Sequence, residues 1–219
     1  NQSRRQRQMC IRDRCLVVIS GYYSWINISI TNVLILPAIF VALILGGVTI
    51  YKKHLSPITV PIYAVIQGIF LGAISYTFNS LYDGIVITAI SYTLSILFVM
   101  LTLYRTGIIK PTENFKLGVA AGTGGIALIY LANFVMSFFG TGLSIMDINN
   151  ASMYSIGFSL LVIVMASLNL VVDFDFIEEG SEKRAPKYME WYGAFGLLVT
   201  LIWLYLEILR LLAKMNSRK

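Results

Sequence analysis

The 219-residue chain predicts an all-α integral membrane protein, a bundle of seven helices of which the first is truncated. Three observations predict it. Hydrophobic residues make up 57% of the chain and charged ones 13%, against about 45–50% and about 25% in soluble domains, so a soluble fold would expose more apolar surface than water tolerates. The uncharged residues fall into runs near the roughly 20 residues that span a bilayer. The basic residues between those runs collect in alternate connections. The net charge of +6 would suggest nucleic acid in a soluble protein; here it is assigned to cytoplasmic loops, and no nucleic-acid partner is expected.

Residues 1–14, NQSRRQRQMCIRDR, are dense in Arg and unlike anything that follows. They resemble translated adaptor read-through, with a basic cytoplasmic tail as the alternative, and are set aside as a non-native or disordered segment. Residues 15–30 read as the remnant of a first helix whose beginning is missing. Uncharged runs then place helices at about 31–51, 58–79, 84–104, 117–138, 150–174 and 191–213, with a basic tail over 216–219. Residues 15–215 form one transmembrane domain. Spanning segments must satisfy their own backbone groups, and no alternating barrel pattern is present, so each run is read as helix. Cys10 and Cys15, five apart, match neither a metal spacing nor a disulfide framework.

Lys52, Lys53 and His54 follow the 31–51 run, Arg105, Lys110 and Lys116 follow the 84–104 run, and Lys183, Arg184 and Lys187 precede the last helix. The connections around 26–31, 79–84 and 139–151 carry no Lys or Arg. This alternation puts the basic loops in the cytoplasm. One feature conflicts: seven crossings put the C-terminus outside, yet it carries Arg210, Lys214, Arg218 and Lys219. Either the last segment is short or re-entrant, or the upstream loops overrule the tail.

Lipid gives helices no hydrophobic reason to associate, so small residues that allow close approach mark packing faces. Gly68 with Gly72, Gly118 with Gly122, and Gly193 with Gly196 are read as such contacts within one bundle.

A charge inside a span costs roughly 2.5–3.5 kcal/mol on insertion scales, so the ionisable residues there are the functional candidates: Asp173, Asp175, Glu207 and Arg210. Residues two apart differ by about 200° around a helix, so Asp173 and Asp175 cannot both serve one site unless the helix unwinds. Asp173 shares a face with Asn169 and Ala166 and turns toward the bundle. Asp175 shares its face with Glu178 and Glu179 and reads as the solvated cytoplasmic end. Glu207 shares a face with Thr200, Gly196 and Gly193, and Arg210 is placed to pair with it locally. The functional expectation puts Asp173 and Glu207 on facing helices as a proton-sharing carboxylate pair. Such a pair senses pH, or holds Ca²⁺ weakly and transiently through oxygen ligands. No histidine cluster, Ser–His pairing or phosphate loop is present, so neither an enzyme nor a cofactor is expected.

SLNLVVD, 167–173, followed after a charged loop by LYLEILRLL, 204–212, resembles the paired signature of the Bax inhibitor-1 (transmembrane Bax-inhibitor-motif) family. PIYAVIQGIFLGAIS, GGIALIY and the stretch from DFDFIEEG to LRLLAK are similar to its bacterial Bax inhibitor-1-like branch. The resemblance covers roughly 31–215. It implies a seven-helix fold in a bacterial cytoplasmic membrane and a pH-sensitive Ca²⁺ leak. It also implies proton-sensing acids at Asp173 and Glu207, and a closed-state latch at Lys52 or Lys53. The chain departs from the pattern in having Glu at 207 where the family has Asp, and Val172 where it has Tyr. The resemblance also implies, from another bacterial branch of the family, a second expectation: an interaction protein that modulates a membrane-bound AAA protease through the charged loop 173–190 and the basic tail.

Overall fold

The structure is a computed structural model that describes residues 15–140, 142–148, 150 and 152–218, without side-chain detail for 29–36. The segment 1–14 and Lys219 lie outside the described residues. Helices α1 (Cys15–Ile26), α2 (Ile28–Tyr51), α3 (Ser56–Leu81), α4 (Ile85–Arg105), α5 (Glu113–Phe138), α6 (Met153–Glu182) and α7 (Lys187–Asn216) follow one another, with short 3₁₀ turns at Lys53–Leu55 and Ser144–Met146. Among the described residues there is no strand, and α3 to α7 are each long and apolar enough to cross a membrane.

The helix ends have local causes. The break between α1 and α2 falls at Asn27 rather than after residue 30, where the Asn27 backbone N–H and side-chain amide both donate to Tyr23 O at 3.1 Å. Ser56 opens α3 by donating its hydroxyl to Lys53 O at 2.5 Å. Gly84, at φ 76°, turns the chain from α3 into α4 in a backbone conformation that side chains with a Cβ rarely adopt. Thr112 caps α5 by accepting from Phe115 N at 3.3 Å, and Glu113 follows where an acid favours a helix N-terminus.

Two ends differ from the sequence expectation. Helix α6 runs on to Glu182 instead of stopping near 174, and α7 starts at Lys187 instead of 191. Hydropathy marks where apolar side chains stop. The backbone ladder satisfies itself and continues past that point, here with Lys183 pairing Glu179 one turn away. Helix α7 is 30 unbroken residues, so the last segment is not short.

By internal contacts the chain forms two compact units. Unit 1 holds Asn1–Leu81 and Asp175–Val199. In it α1 lies backbone-close to α3. A methyl group added at Gly68 would fall on the Ser20 hydroxyl and stand 2.5 Å from Val17 O, and one at Gly72 would fall on Gly21 O and stand 2.8 Å from Ser24 Cβ. Ser24 adds a hydroxyl bond to Ile69 O at 2.8 Å. Helix α2 packs on α3, with a buried bond between the Thr49 and Thr59 hydroxyls at 2.7 Å. Rings complete the unit: Tyr63 stands edge-on to Phe195 at 5.0 Å, and Tyr192 meets Phe176 at 5.8 Å and Phe195 at 6.4 Å.

Unit 2 holds Tyr82–Phe174 and Thr200–Lys219. Tyr104 of α4 meets Phe174 of α6 at 5.9 Å. Gly122 of α5 lies under the end of Met165, so its contact is with a flexible side chain rather than with backbone. A Cβ at Gly118 would meet nothing within 4 Å, so this residue faces open space and not a packing seam. Gly193 is buried and Gly196 half-buried, both on α7 within unit 1.

Candidate functional site

The polar residues of the second half of α7 follow one spacing. Thr200, Trp203, Glu207, Arg210 and Lys214 recur at alternating steps of three and four, which keeps them on one side of a helix of about 3.6 residues per turn. All five belong to unit 2; the Trp203 indole N–H is buried with no hydrogen-bond partner, and the groups that meet the others come from α5, α6, the segment between them and α7 itself.

At the start of this file Thr200 lies beside the Asp173 carboxyl of α6. Its Oδ2 is shut off from solvent and has no hydrogen-bond partner. One turn back on α6, the Asn169 amide donates to Thr123 Oγ1 of α5 at 2.6 Å and to Met165 O at 3.0 Å. Asn169 therefore ties α6 to α5 and does not serve Asp173.

Glu207 lies in the middle of the file and is 1% exposed. Its Oε2 accepts from the Tyr130 hydroxyl of α5 at 2.7 Å and from Arg210 Nη1 at 2.8 Å. Arg210 Nη1 also donates to the Tyr130 oxygen at 3.2 Å, and its guanidinium stands 5.5 Å from that ring. Glu207 Oε1 is buried with no partner. The local Glu207–Arg210 pair expected from their spacing is thus formed, and a tyrosine closes it into a triad.

Lys214 ends the file and is 0% exposed. Its ammonium donates to Ile145 O at 2.9 Å, Ser159 Oγ at 3.0 Å and Ser155 O at 3.3 Å. The Ile145 carbonyl also accepts the Ser155 hydroxyl at 2.8 Å, which pins the 3₁₀ turn to the first turn of α6.

These contacts set the register of the α6–α7 pair. Asp173 meets Thr200 and Ser159 meets Lys214, an equal step of fourteen residues on each antiparallel helix. Ala166, fully buried midway along α6, is therefore level with Glu207. Asp173 sits seven residues further along α6. The expected carboxylate pair is corrected to two separate stations, about 10 Å apart along the helix axis. No group of three or more His, Cys, Asp or Glu residues fit to hold a metal is found among the described residues.

The remaining predicted residues lie elsewhere. Asp175 is half-buried in the continuing α6 and belongs to unit 1. Lys52 is exposed at the end of α2, and the Lys53 ammonium stands over the Tyr192 ring at 5.1 Å, so its partner in unit 1 is aromatic. Unit 1 also holds a cavity of about 250 Å³ lined by Phe176, Ile177, Met189 and Glu190 among others, and none of the predicted site residues lines it.

Sequence reasoning missed Tyr130, Ser159 and Lys214. Tyr130 and Ser159 carry no signal in an isolated helix. Lys214 did: extending Glu207's face forward by the same three-and-four steps reaches it. Grouping it with the C-terminal charges hid this. Two of the four charges that set the C-terminus against the loop pattern, Arg210 and Lys214, are side chains of the file.

A search of curated proteins found no match. The model of the family described as "Bax inhibitor 1 like" matches residues 13–217, which takes in every helix and every residue of the file. The chain is a multi-pass membrane protein that belongs to the Bax inhibitor 1 like family.

Proposed function

We propose that this chain is a non-enzymatic, pH-sensitive leak for cations, Ca²⁺ foremost, in the bacterial cytoplasmic membrane, with Asp173 and Glu207 as its proton-sensing groups. One observation carries the reading: Asp173 Oδ2 and Glu207 Oε1 are two carboxyl oxygens buried within spanning helices and left without partners. An unsatisfied buried acceptor is costly and is relieved by a proton or a cation. A lone carboxylate supplies few of the six to eight oxygens Ca²⁺ prefers, so each station holds the ion weakly, which suits passage rather than storage. Two stations about 10 Å apart let the ion step between them, where a single pair would share one proton. The family membership supports the same reading.

The test is Ca²⁺ uptake into liposomes across a pH series, comparing wild type with Asp173→Asn/Glu207→Gln. Asn and Gln are permanently neutral stand-ins for the protonated acids. The double variant should therefore show, at every pH, the flux that wild type shows in acid. A double variant that keeps the wild-type pH response would remove both residues from the sensing role.

A second reading, modulation of a membrane-bound protease, is favoured by the charged α6–α7 hairpin, where α6 continues helical to Glu182 with Glu178 exposed. Replacing residues 175–190 should abolish co-purification of such a protease, and Glu207→Gln should leave it intact.

A further inference from the structure

Lys214 is a full charge at 0% exposure whose three hydrogen bonds all go to neutral oxygens. Three charged residues, Glu207, Arg210 and Asp147, act on it electrostatically without sharing these bonds. An ammonium has three donors and no acceptor, and here each donor has one oxygen: two main-chain carbonyls and a hydroxyl. Such a cage replaces the water shell of a small monovalent cation in the way carbonyl rings do in ion pores. The cage does not depend on the lysine for its assembly. The Ser155 hydroxyl holds Ile145 O, Asn150 Nδ2 holds Ser144 O and Oγ at 2.8 Å each, and helix α6 fixes Ser155 and Ser159.

We propose that Ile145 O, Ser155 O and Ser159 Oγ form a site for an ammonium-like monovalent cation, and that Lys214 occupies it as a tethered plug closing the C-terminal end of the α7 polar file. The plug role rests on the leak reading above; the cage does not. The file offers a passing cation Glu207 and then, two turns on, a fixed positive charge in the place where the ion would next lose its water. Like charges about 10 Å apart at an effective dielectric near 20 repel enough to slow passage about tenfold.

Two measurements test this. In detergent, methylammonium chloride should raise the Tm of purified Lys214→Ala by roughly 2–4 °C over equal tetramethylammonium chloride, which fits no N–H to the cage. Wild type, with the cage filled, should show no difference. Equal effects of the two salts on Lys214→Ala would overturn the cage. In liposomes, K⁺ flux through Lys214→Ala should exceed wild type about tenfold and fall again when methylammonium is added. Lys214→Gln keeps N–H donors without the charge, which covers a failure of the alanine variant to fold, and it too should leak. Flux through wild type that neither variant raises overturns the plug alone. No flux through any chain overturns the plug and the leak reading together, while the Tm measurement still decides the cage.

Discussion

Each unit is held together internally, and by different means. Unit 1 is assembled by removing side chains: Gly68 and Gly72 bring α3 against the backbone of α1, and the rings of Tyr63, Phe176, Tyr192 and Phe195 fill the space elsewhere. Unit 2 is assembled around side chains that lipid disfavours, with Glu207, Arg210 and Lys214 in one file along α7 and Asp173 on α6. Close packing suits helices in lipid because dispersion and lipid entropy drive their association. Two acids and two bases within the spans do not serve stability first, since a buried ion pair is weak evidence for it. The difference is one of degree, since unit 1 also buries one carboxylate, Glu190, with an unpartnered oxygen.

The comparison can be broken from either side. The largest expected effect is in unit 2. Arg210→Met leaves Glu207 buried with an uncompensated charge, which should cost about 3–5 kcal/mol, read as unfolding of the purified protein in detergent. Restoration to within about 1 kcal/mol of wild type by the added change Glu207→Gln would show that the pair, and not the arginine's bulk, is what matters. Next comes Gly72→Val in unit 1. Its new side chain would meet Gly21 O, a backbone atom that cannot step aside, for about 1–3 kcal/mol. A neutral Gly72→Val would deny unit 1 its close backbone contact. The smallest effect is at Gly118. Gly118→Ala enters open space and should stay within about 0.5 kcal/mol of wild type. A loss as large as that of Gly72→Val would mean that a partner covers this face.

Much of this was legible in the sequence, for a physical reason that also marks its limit. Hydropathy reports which segments leave water, so the seven runs and their approximate centres could be read directly. It does not report where a backbone ladder stops, so α6 was expected to end near 174 and instead carries its acids to Glu182. Insertion cost singles out ionisable residues in spans, and that brought Asp173, Glu207 and Arg210 forward. The same rule sent Lys214 to the tail, because a base near the end of an apolar run looks like a flanking charge until its helix has neighbours. Of the three glycine pairs, Gly68 with Gly72 has backbone against it, while Gly118 faces nothing. Spacing alone could not separate them.

By itself the sequence determined the class of the protein and the lateral placement of each polar residue, because hydropathy and the 3.6-residue turn are local properties of the chain. Only the tertiary structure decided what those residues meet. Helix register is a relation between chains of atoms distant in sequence, and a shift of two turns separates a shared carboxylate pair from the observed order of Thr200 on Asp173, Tyr130 on Glu207 and an oxygen cage on Lys214.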